Sequence, residues 1–470
     1  MKKMVPLLAC LIFLGSIAPV SAQGTGLYYQ PPKPVTRTIH GMTLLFFEDH
    51  HLPTFHATAY LRGGSVYDPL GKEGLASLSM QTIRLGGTEK RPKEIEEWIE
   101  SVGGELEFGS APEFLTASLS VLSKDATPGL ELLFDLLKHP AMEAEYFENL
   151  KKQSIDTLKR EGEDSLRYAM REFQPLVYEA GATQPAGLRL WGRRDRVASL
   201  QKIRRQDVVN FHQEYFYPNR LILTVTGDFK PDELVKTLEA ALTNWAPTAK
   251  ELPKIPPLEQ RMQAGFYLLP KAGLTQTSVV MGHLGEKRDN PDKYPLMVMN
   301  FILGGSGALT SRMGDEIRSK AGKAYAVWSL FGFGKDYGVF QTIAQTAAGN
   351  SAWVVEKMRE LITQMHTQPE ILPSELNRAK ESILRSFLFS YESKNALLQD
   401  LAKFYLWGYP ADYLEEFQRH IRAVTKQDVE RVARQYLHPE ALKVLLVGDP
   451  KAVEKSYEGS KEQPKVLKVP

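Results

Sequence analysis

The sequence predicts an α+β protein of two similar domains, each a mixed or antiparallel sheet with helices packed mainly on one face. Three observations lead there. First, the chain repeats itself. Gln206-Asp207-Val208 returns as Gln427-Asp428-Val429, Tyr215 as Tyr436, Pro218 as Pro439, and Gly227-Asp228 as Gly448-Asp449. Every pair is 221 positions apart (206 and 427, for example), and no gap interrupts the register. Second, residues 246–262 carry Pro247, Pro253, Pro256 and Pro257, the composition of a linker. Third, strands open each copy and helices follow without strict alternation, which favours a sheet and helices in separate layers.

The N-terminus reads as a leader. Lys2 and Lys3 precede an apolar run from Met4 to Val20, and Val20-Ser21-Ala22 offers a cleavage site before Gln23. Residues 1–22 are therefore a signal peptide. Leu7-Leu8-Ala9-Cys10 resembles a lipoprotein box, but most of the apolar run follows the cysteine instead of preceding it, so a soluble exported protein is expected. The mature chain then divides into a domain at 23–245, the linker at 246–262, a second domain at 263–455 and a polar tail at 456–470.

In the first domain the pattern predicts strands at 38–48, 54–61, 105–108 and 115–122. Helices are expected at 73–85, 92–102, 128–138 and 145–160. Gly103-Gly104 stops the second helix, and Thr127 with Pro128 is placed to start the third. Near the end of each repeat an amphipathic helix, a proline turn and an apolar strand (221–225 and 442–447) recur.

Composition removes several functions. Cys10 is the single cysteine and leaves with the leader, so the mature chain has no disulfide, thiolate ligand or cysteine nucleophile. Fifty-eight basic against 56 acidic residues leave a net charge of +2, too little to recruit nucleic acid. Arg189, Arg193, Arg194 and Arg196 form only a local cluster, read as a solvated face. No later apolar run is long enough for a membrane span. Neither a G-x-S-x-G elbow, a phosphate loop nor a dinucleotide fingerprint is present. His50, His51 and His56 are the one close histidine group and read as a solvated turn. His139, His212, His283, His366, His420 and His438 lack ligand spacing. Glu161, Glu163 and Asp164 read as a charged helix end.

The stretch 302–328 is the richest in signals. Gly304, Gly305 and Gly307 make a loop where backbone can approach a ligand. Thr310 or Ser311 offers an N-cap, with Asp315 and Glu316 early in the helix that follows. Met313, Ile317 and Ala321 give that helix one apolar face, Gly322 ends it, and a strand is expected at 324–330. Arg318 in the last turn and Tyr325 at the strand start could meet at one spot. By residue type alone, the arginine could equally serve the helix dipole and the tyrosine the core.

The residues Ser311-Arg312, then Glu316-Ile317-Arg318-Ser319-Lys320-Ala321-Gly322-Lys323-Ala324-Tyr325, after a glycine-rich loop, resemble the C-terminal motif of the pitrilysin/insulinase (inverzincin) peptidases, which include the mitochondrial processing peptidase. The resemblance extends over nearly all the mature chain, through Gly103-Gly104, Pro140 and the Gly-Asp endings of both repeats. It implies that Arg318 and Tyr325, with Gly304 and Gly305, bind substrate backbone and help to polarise the scissile carbonyl.

The same resemblance places the family's G-x-A-H-F-L-E-H segment at Gly74-Leu75-Ala76-Ser77-Leu78-Ser79-Met80-Gln81. In H-x-x-E-H, helical spacing sets two histidines on one face for Zn²⁺ and the glutamate activates the bound water. Here Ser77 and Gln81 stand at the histidine positions and Met80 at the glutamate. The third ligand would fall near Asp156 or Thr157, and a lone carboxylate is no zinc site. The resemblance therefore implies a non-catalytic, substrate-binding subunit of a periplasmic heterodimeric zinc metallopeptidase. This chain would bind no cofactor, and zinc would sit in a homologous H-x-x-E-H subunit. An extended peptide would be clasped between the two. A metal-free binding or scaffold protein of the same fold is the alternative.

The leader makes one outcome measurable. Intact mass of the exported protein should begin at Gln23; an N-terminal lipidated Cys10 would overturn this.

Overall fold

The computed structural model describes residues 28–178, 193–254, 262–305 and 307–467, so the leader, Cys10 and the Ala22-Gln23 junction lie outside it. The first half holds six strands: β1 (Val35–Ile39), β2 (Met42–Glu48), β3 (Thr54–Arg62), β4 (Glu105–Ser110), β5 (Phe114–Leu122) and β6 (Leu221–Gly227). Its helices are α1 (Leu75–Ile83), α2 (Pro92–Val102), α3 (Ala126–Lys138), α4 (Ala144–Arg160), α5 (Ser165–Tyr178), α6 (Arg193–Lys202), α7 (Arg205–Tyr215) and α8 (Pro231–Leu242). The second half adds β7 (Gly265–Pro270), β8 (Gln276–Leu284), β9 (Glu286–Lys287), β10 (Ala326–Phe331), β11 (Phe333–Gly334), β12 (Val339–Ala347), β13 (Lys443–Gly448) and β14 (Lys465–Val466). With them come α9 (Lys293–Leu303), α10 (Ser351–Thr367), α11 (Pro373–Ser390), α12 (Lys394–Trp407), α13 (Tyr413–Ala423), α14 (Lys426–Tyr436) and α15 (Pro450–Ser456).

The two sheets mirror one another. The first runs β1-β2-β6-β3-β5-β4 and the second β14-β7-β13-β8-β12-β10. In each, the repeat's last strand is inserted at the centre. It lies parallel to one neighbour (β6 with β2, β13 with β7) and antiparallel to the other (β3 or β8). The repeat helices α7 and α14 start and stop 221 positions apart, as expected. Their starts are chemically alike: Asp207 accepts from the Arg204 N–H (2.8 Å) and Asp428 from the Thr425 N–H (2.9 Å).

Several expectations need local correction. The strand expected at 38–48 is two strands, because His40 (φ +48°) and Gly41 (φ +87°) make a tight hairpin turn of the left-handed kind. Thr127 does not cap α3. A 3₁₀ turn, Ser123–Asp125, runs straight into the helix, which leaves Thr127 and Pro128 in its first turn. Gly103 does end α2 in the left-handed conformation (φ +60°), with its N–H on the Glu100 and Ile99 carbonyls. Residues 456–467, polar by composition, are not free. Tyr457 is buried in the second core and β14 pairs with β7.

Helices pack on one face of each sheet, and a single helix from the opposite half covers the other face. In the first half, Leu44, Phe46, Leu223 and Val225 face α1, α3, α7 and α8 in one core. The reverse face of that sheet, with Leu45, Phe47, Tyr60 and Ile222, packs against α12 of the second half. Reciprocally, α5 of the first half lays Tyr168, Ala169, Phe173 and Val177 on Val280, Ile343, Leu445 and Val447 of the second sheet. This explains why β6 and β13 are buried along their whole length on both faces. The N-terminal segment adds another tie: Tyr29 stacks on Tyr391 and exchanges hydrogen bonds with the Gln418 side chain (2.8 Å each).

Phe173 has no exposed surface. Phe173→Ala should cost about 3–5 kcal/mol. Chemical denaturation should show one transition for both halves; a second sheet that melts normally without this contact would contradict the exchange of helices.

Candidate functional site

The altered zinc segment forms α1. Gly74 begins it in the left-handed conformation (φ +99°), and buried Asp68 caps its open end, accepting from the Gly74 (2.7 Å) and Ala76 (2.8 Å) N–H groups. Burial pushes the Asp68 carboxyl up to about 7 in spite of these donors. Ser77 and Gln81, one turn apart, face a cleft of about 470 Å³ between α1 and α4. The Gln81 amide N–H donates to Ser77 Oγ at 3.4 Å, and the Ser154 hydroxyl to Gln81 Oε1 at 3.5 Å, both long for hydrogen bonds. Met80 is 1% exposed and belongs to the first core.

These residues do not fit zinc. A hydroxyl and a neutral amide replace imidazoles, and a thioether in the core replaces the base. At the third-ligand position Thr157, not Asp156, lines the cleft; Asp156 pairs with Lys159 at 3.6 Å. Among the described residues no group of three His, Cys, Asp or Glu side chains is arranged to hold a metal. Of the three grouped histidines, His50 and His51 lie in the turn and are ion-paired, His51 with Asp49 and His50 between Glu48 (2.7 Å) and Asp228 (2.6 Å). The His50 hydrogen bonds, to Asp228 first and then Glu48, raise its pKa. His56 lies instead in β3, against the Ser120 hydroxyl at 2.6 Å. His283 is a core residue that burial lowers to about 4. Glu163 and Asp164 are exposed as expected, and Asp164 caps α5. The arginine cluster differs from expectation at Arg196, which is largely buried and lines the cleft; Arg189 lies outside the described residues.

The second candidate region is built around β10, an edge strand. The segment expected as an α-helix is a wide π-type turn, Gly314–Lys320, a geometry enriched at functional sites. Ser311 caps it, accepting from the Gly314 N–H at 3.1 Å. Met313 and Ile317 are fully buried beneath it, and Gly322 (φ +61°) closes it, with the Lys323 N–H on the Ile317 carbonyl at 3.0 Å. Arg312 is structural: its guanidinium grips Glu375 of α11 at 2.9 and 3.0 Å.

Gly304 and Gly305 are buried and lie against β10. The Ser329 N–H donates to the Gly304 carbonyl (2.9 Å), and a Cβ on Gly305 would come within 2.6 Å of the Phe301 backbone. Arg318 is exposed, and Tyr325 is 74% exposed just before β10, so the phenol is no core residue. Neither side chain has a hydrogen-bond or ion-pair partner among the described residues. The π-type turn carrying Arg318 packs on β10. Sequence reasoning missed the ~470 Å³ cleft as a cavity, because it depends on the distance between α1 and α4.

Comparison with known proteins gives a consistent family picture. The model for "Insulinase (Peptidase family M16)" matches residues 48–179, and that for "Peptidase M16 inactive domain" matches residues 202–383. A Helicobacter pylori protein called "Non-peptidase homolog YmxG" is 25% identical across 87% of this chain and 92% of its own length. A Pseudomonas fluorescens structure, described as a peptidase M16 inactive domain, superposes with a TM-score of 0.77 at 21% identity, covering 93% of this chain and 100% of that one. The periplasmic protease PqqL of Escherichia coli superposes at 0.70 with 15% identity, covering 94% of this chain and 49% of that one.

Elemental analysis of the purified chain should find no stoichiometric zinc, and about one zinc per chain would overturn this assignment. The triple substitution Ser77→His, Met80→Glu, Gln81→His should lower the melting temperature without giving an active peptidase. It puts a carboxylate where Met80 is buried, at a cost of about 3 kcal/mol or more.

Proposed function

Because the chain belongs to the peptidase M16 (insulinase) family and carries its inactive-type domain, we propose that it is the non-catalytic, substrate-binding subunit of a two-chain zinc peptidase that acts on peptides in the periplasm. The observation that carries the proposal is a contrast between two sites. Ser77, Met80 and Gln81 no longer suit a metal, whereas Arg318 and Tyr325 stand exposed and unpartnered beside an edge strand. A core role would have buried Tyr325, and a purely structural arginine would have found a carboxylate, as Arg312 does with Glu375.

An extended peptide adds to a sheet edge by backbone hydrogen bonds, which read little of its sequence. Tyr325 lies just before such an edge strand, ahead of Ser329, where Gly304 and Gly305 already bridge it. Its phenol and the Arg318 guanidinium would donate hydrogen bonds to a peptide carbonyl as negative charge develops on it. Metal and attacking water would belong to a homologous H-x-x-E-H partner. Gly304 and Gly305 would act by shape, since close contact with β10 fixes the loop before the π-type turn.

Reconstitution with the partner tests this. Tyr325→Phe removes only a hydroxyl, so assembly and melting should be unchanged while kcat falls about a hundredfold. Arg318→Ala should lower kcat comparably and also raise KM. Full turnover in both variants, with the complex intact by sizing, would leave a metal-free scaffold as the function.

A further inference from the structure

The cleft beside Ser77 has the size and lining of a ligand site, although its metal chemistry is gone. At about 470 Å³ it falls within the range of small-molecule and peptide-end sites. One wall is aliphatic, made by Leu78, Leu150, Leu158 and Leu200. The other is neutral and hydrogen-bonding, made by Ser77, Gln81, Gln153, Ser154 and Thr157. Those polar groups have capacity to spare. The two hydrogen bonds among them are stretched to 3.4 and 3.5 Å, and the Gln153 and Thr157 side chains make none with any described residue.

The charges select among ligands. Glu73 lines the cleft but is buried, and both its carboxylate oxygens are engaged, one by the Gly71 N–H (2.7 Å) and one by the Ser199 hydroxyl. It offers a cation nothing. Two arginines line the cleft: Arg196 is largely buried, and Arg167 has its side chain 76% exposed and pairs, among the described residues, with Asp164 at a loose 3.6 Å. The available charge is therefore positive. Among the described residues that line the cleft, none is aromatic. Amide-type hydrogen bonding, an aliphatic wall and a cation at the rim together match one chemistry.

We propose that this cleft binds the C-terminal end of a short aliphatic peptide. The terminal carboxylate meets the Arg167 guanidinium, the last backbone amides exchange hydrogen bonds with Gln81, Gln153 and Thr157, and the branched side chains lie on the leucine wall. The site needs no partner subunit and shares no lining residue with the Arg318 and Tyr325 region, so either proposal survives failure of the other.

The test uses the full mature chain alone and an N-terminally fluorescein-labelled Ala-Ala-Leu-Leu peptide, followed by anisotropy. Saturable binding is expected. Thr157→Trp, on an exposed wall position, should weaken it at least tenfold with an unchanged melting curve, and Gln153→Trp supplies a second blocked cleft should the first variant be unstable. A C-terminally amidated peptide should bind about tenfold more weakly, the scale of one charge-assisted contact. Arg167→Ala should reproduce that loss for the free acid and leave the amidated peptide unaffected. Absence of saturable binding, binding indifferent to both blocked variants, or equal affinity for acid and amide would each overturn the proposal.

Discussion

The reciprocal cover of α5 and α12 is the constraint on which the rest of the structure depends. A six-stranded sheet whose central strand is buried along its whole length and mostly apolar cannot leave either face in water. Each half supplies enough helices for one face of its own sheet and must borrow the cover for the other. The halves are therefore similar in topology but not independent in energy. Other ties act on the same joint. Tyr29 straps the N-terminal segment to the second half, and Arg288 pairs with Glu113 across it in a half-buried setting. The second pair costs desolvation and is better read as a device for registering the halves than as a large source of stability.

That rigidity is what gives the two candidate sites their different characters. The cleft by α1 lies among helices, where a change of side chain alters its chemistry while α1 keeps its place under the Asp68 cap. The Arg318 and Tyr325 region is set by backbone instead. Gly304 lies too close to β10, and Gly305 too close to the α9 backbone at Phe301, for any side chain, and the π-type turn is clamped by Ser311 at one end and Gly322 at the other. Chemistry can drift in the first site without disturbing the fold. In the second, the frame itself restricts what can change.

Much of this was legible in the residues. The offset of 221 positions predicted two similar units, and helices α7 and α14 follow it to the residue at both ends. Ser311, Gly322 and Gly103 act as punctuation because capping is local chemistry. What escaped was mostly non-local. Cover of the second sheet face was hinted at by apolar runs at 221–225 and 442–447 with no polar alternation, but nothing local says which helix provides it. The hairpin at His40-Gly41 was read through as one strand, since a two-residue turn interrupts the strand pattern only briefly. A π-type turn and an α-helix bury the same Met313 and Ile317, so periodicity could not separate them. Arg196 was read from its charged neighbours, whereas its burial comes from the packing around α6.

The exchange of helices also bears on how the chain is made. Synthesis runs from the N-terminus, and the first sheet is complete once β6 has emerged. Its outer face, with Leu45, Phe47, Tyr60 and Ile222, then waits until Trp407 at the end of α12 has followed. For the time taken to add those residues, the nascent chain presents a bare apolar surface that only its own distant future segment can close. A protein built in this way depends on being held unfolded, or shielded, over most of its length, and fragments that end between the two repeats inherit that surface permanently.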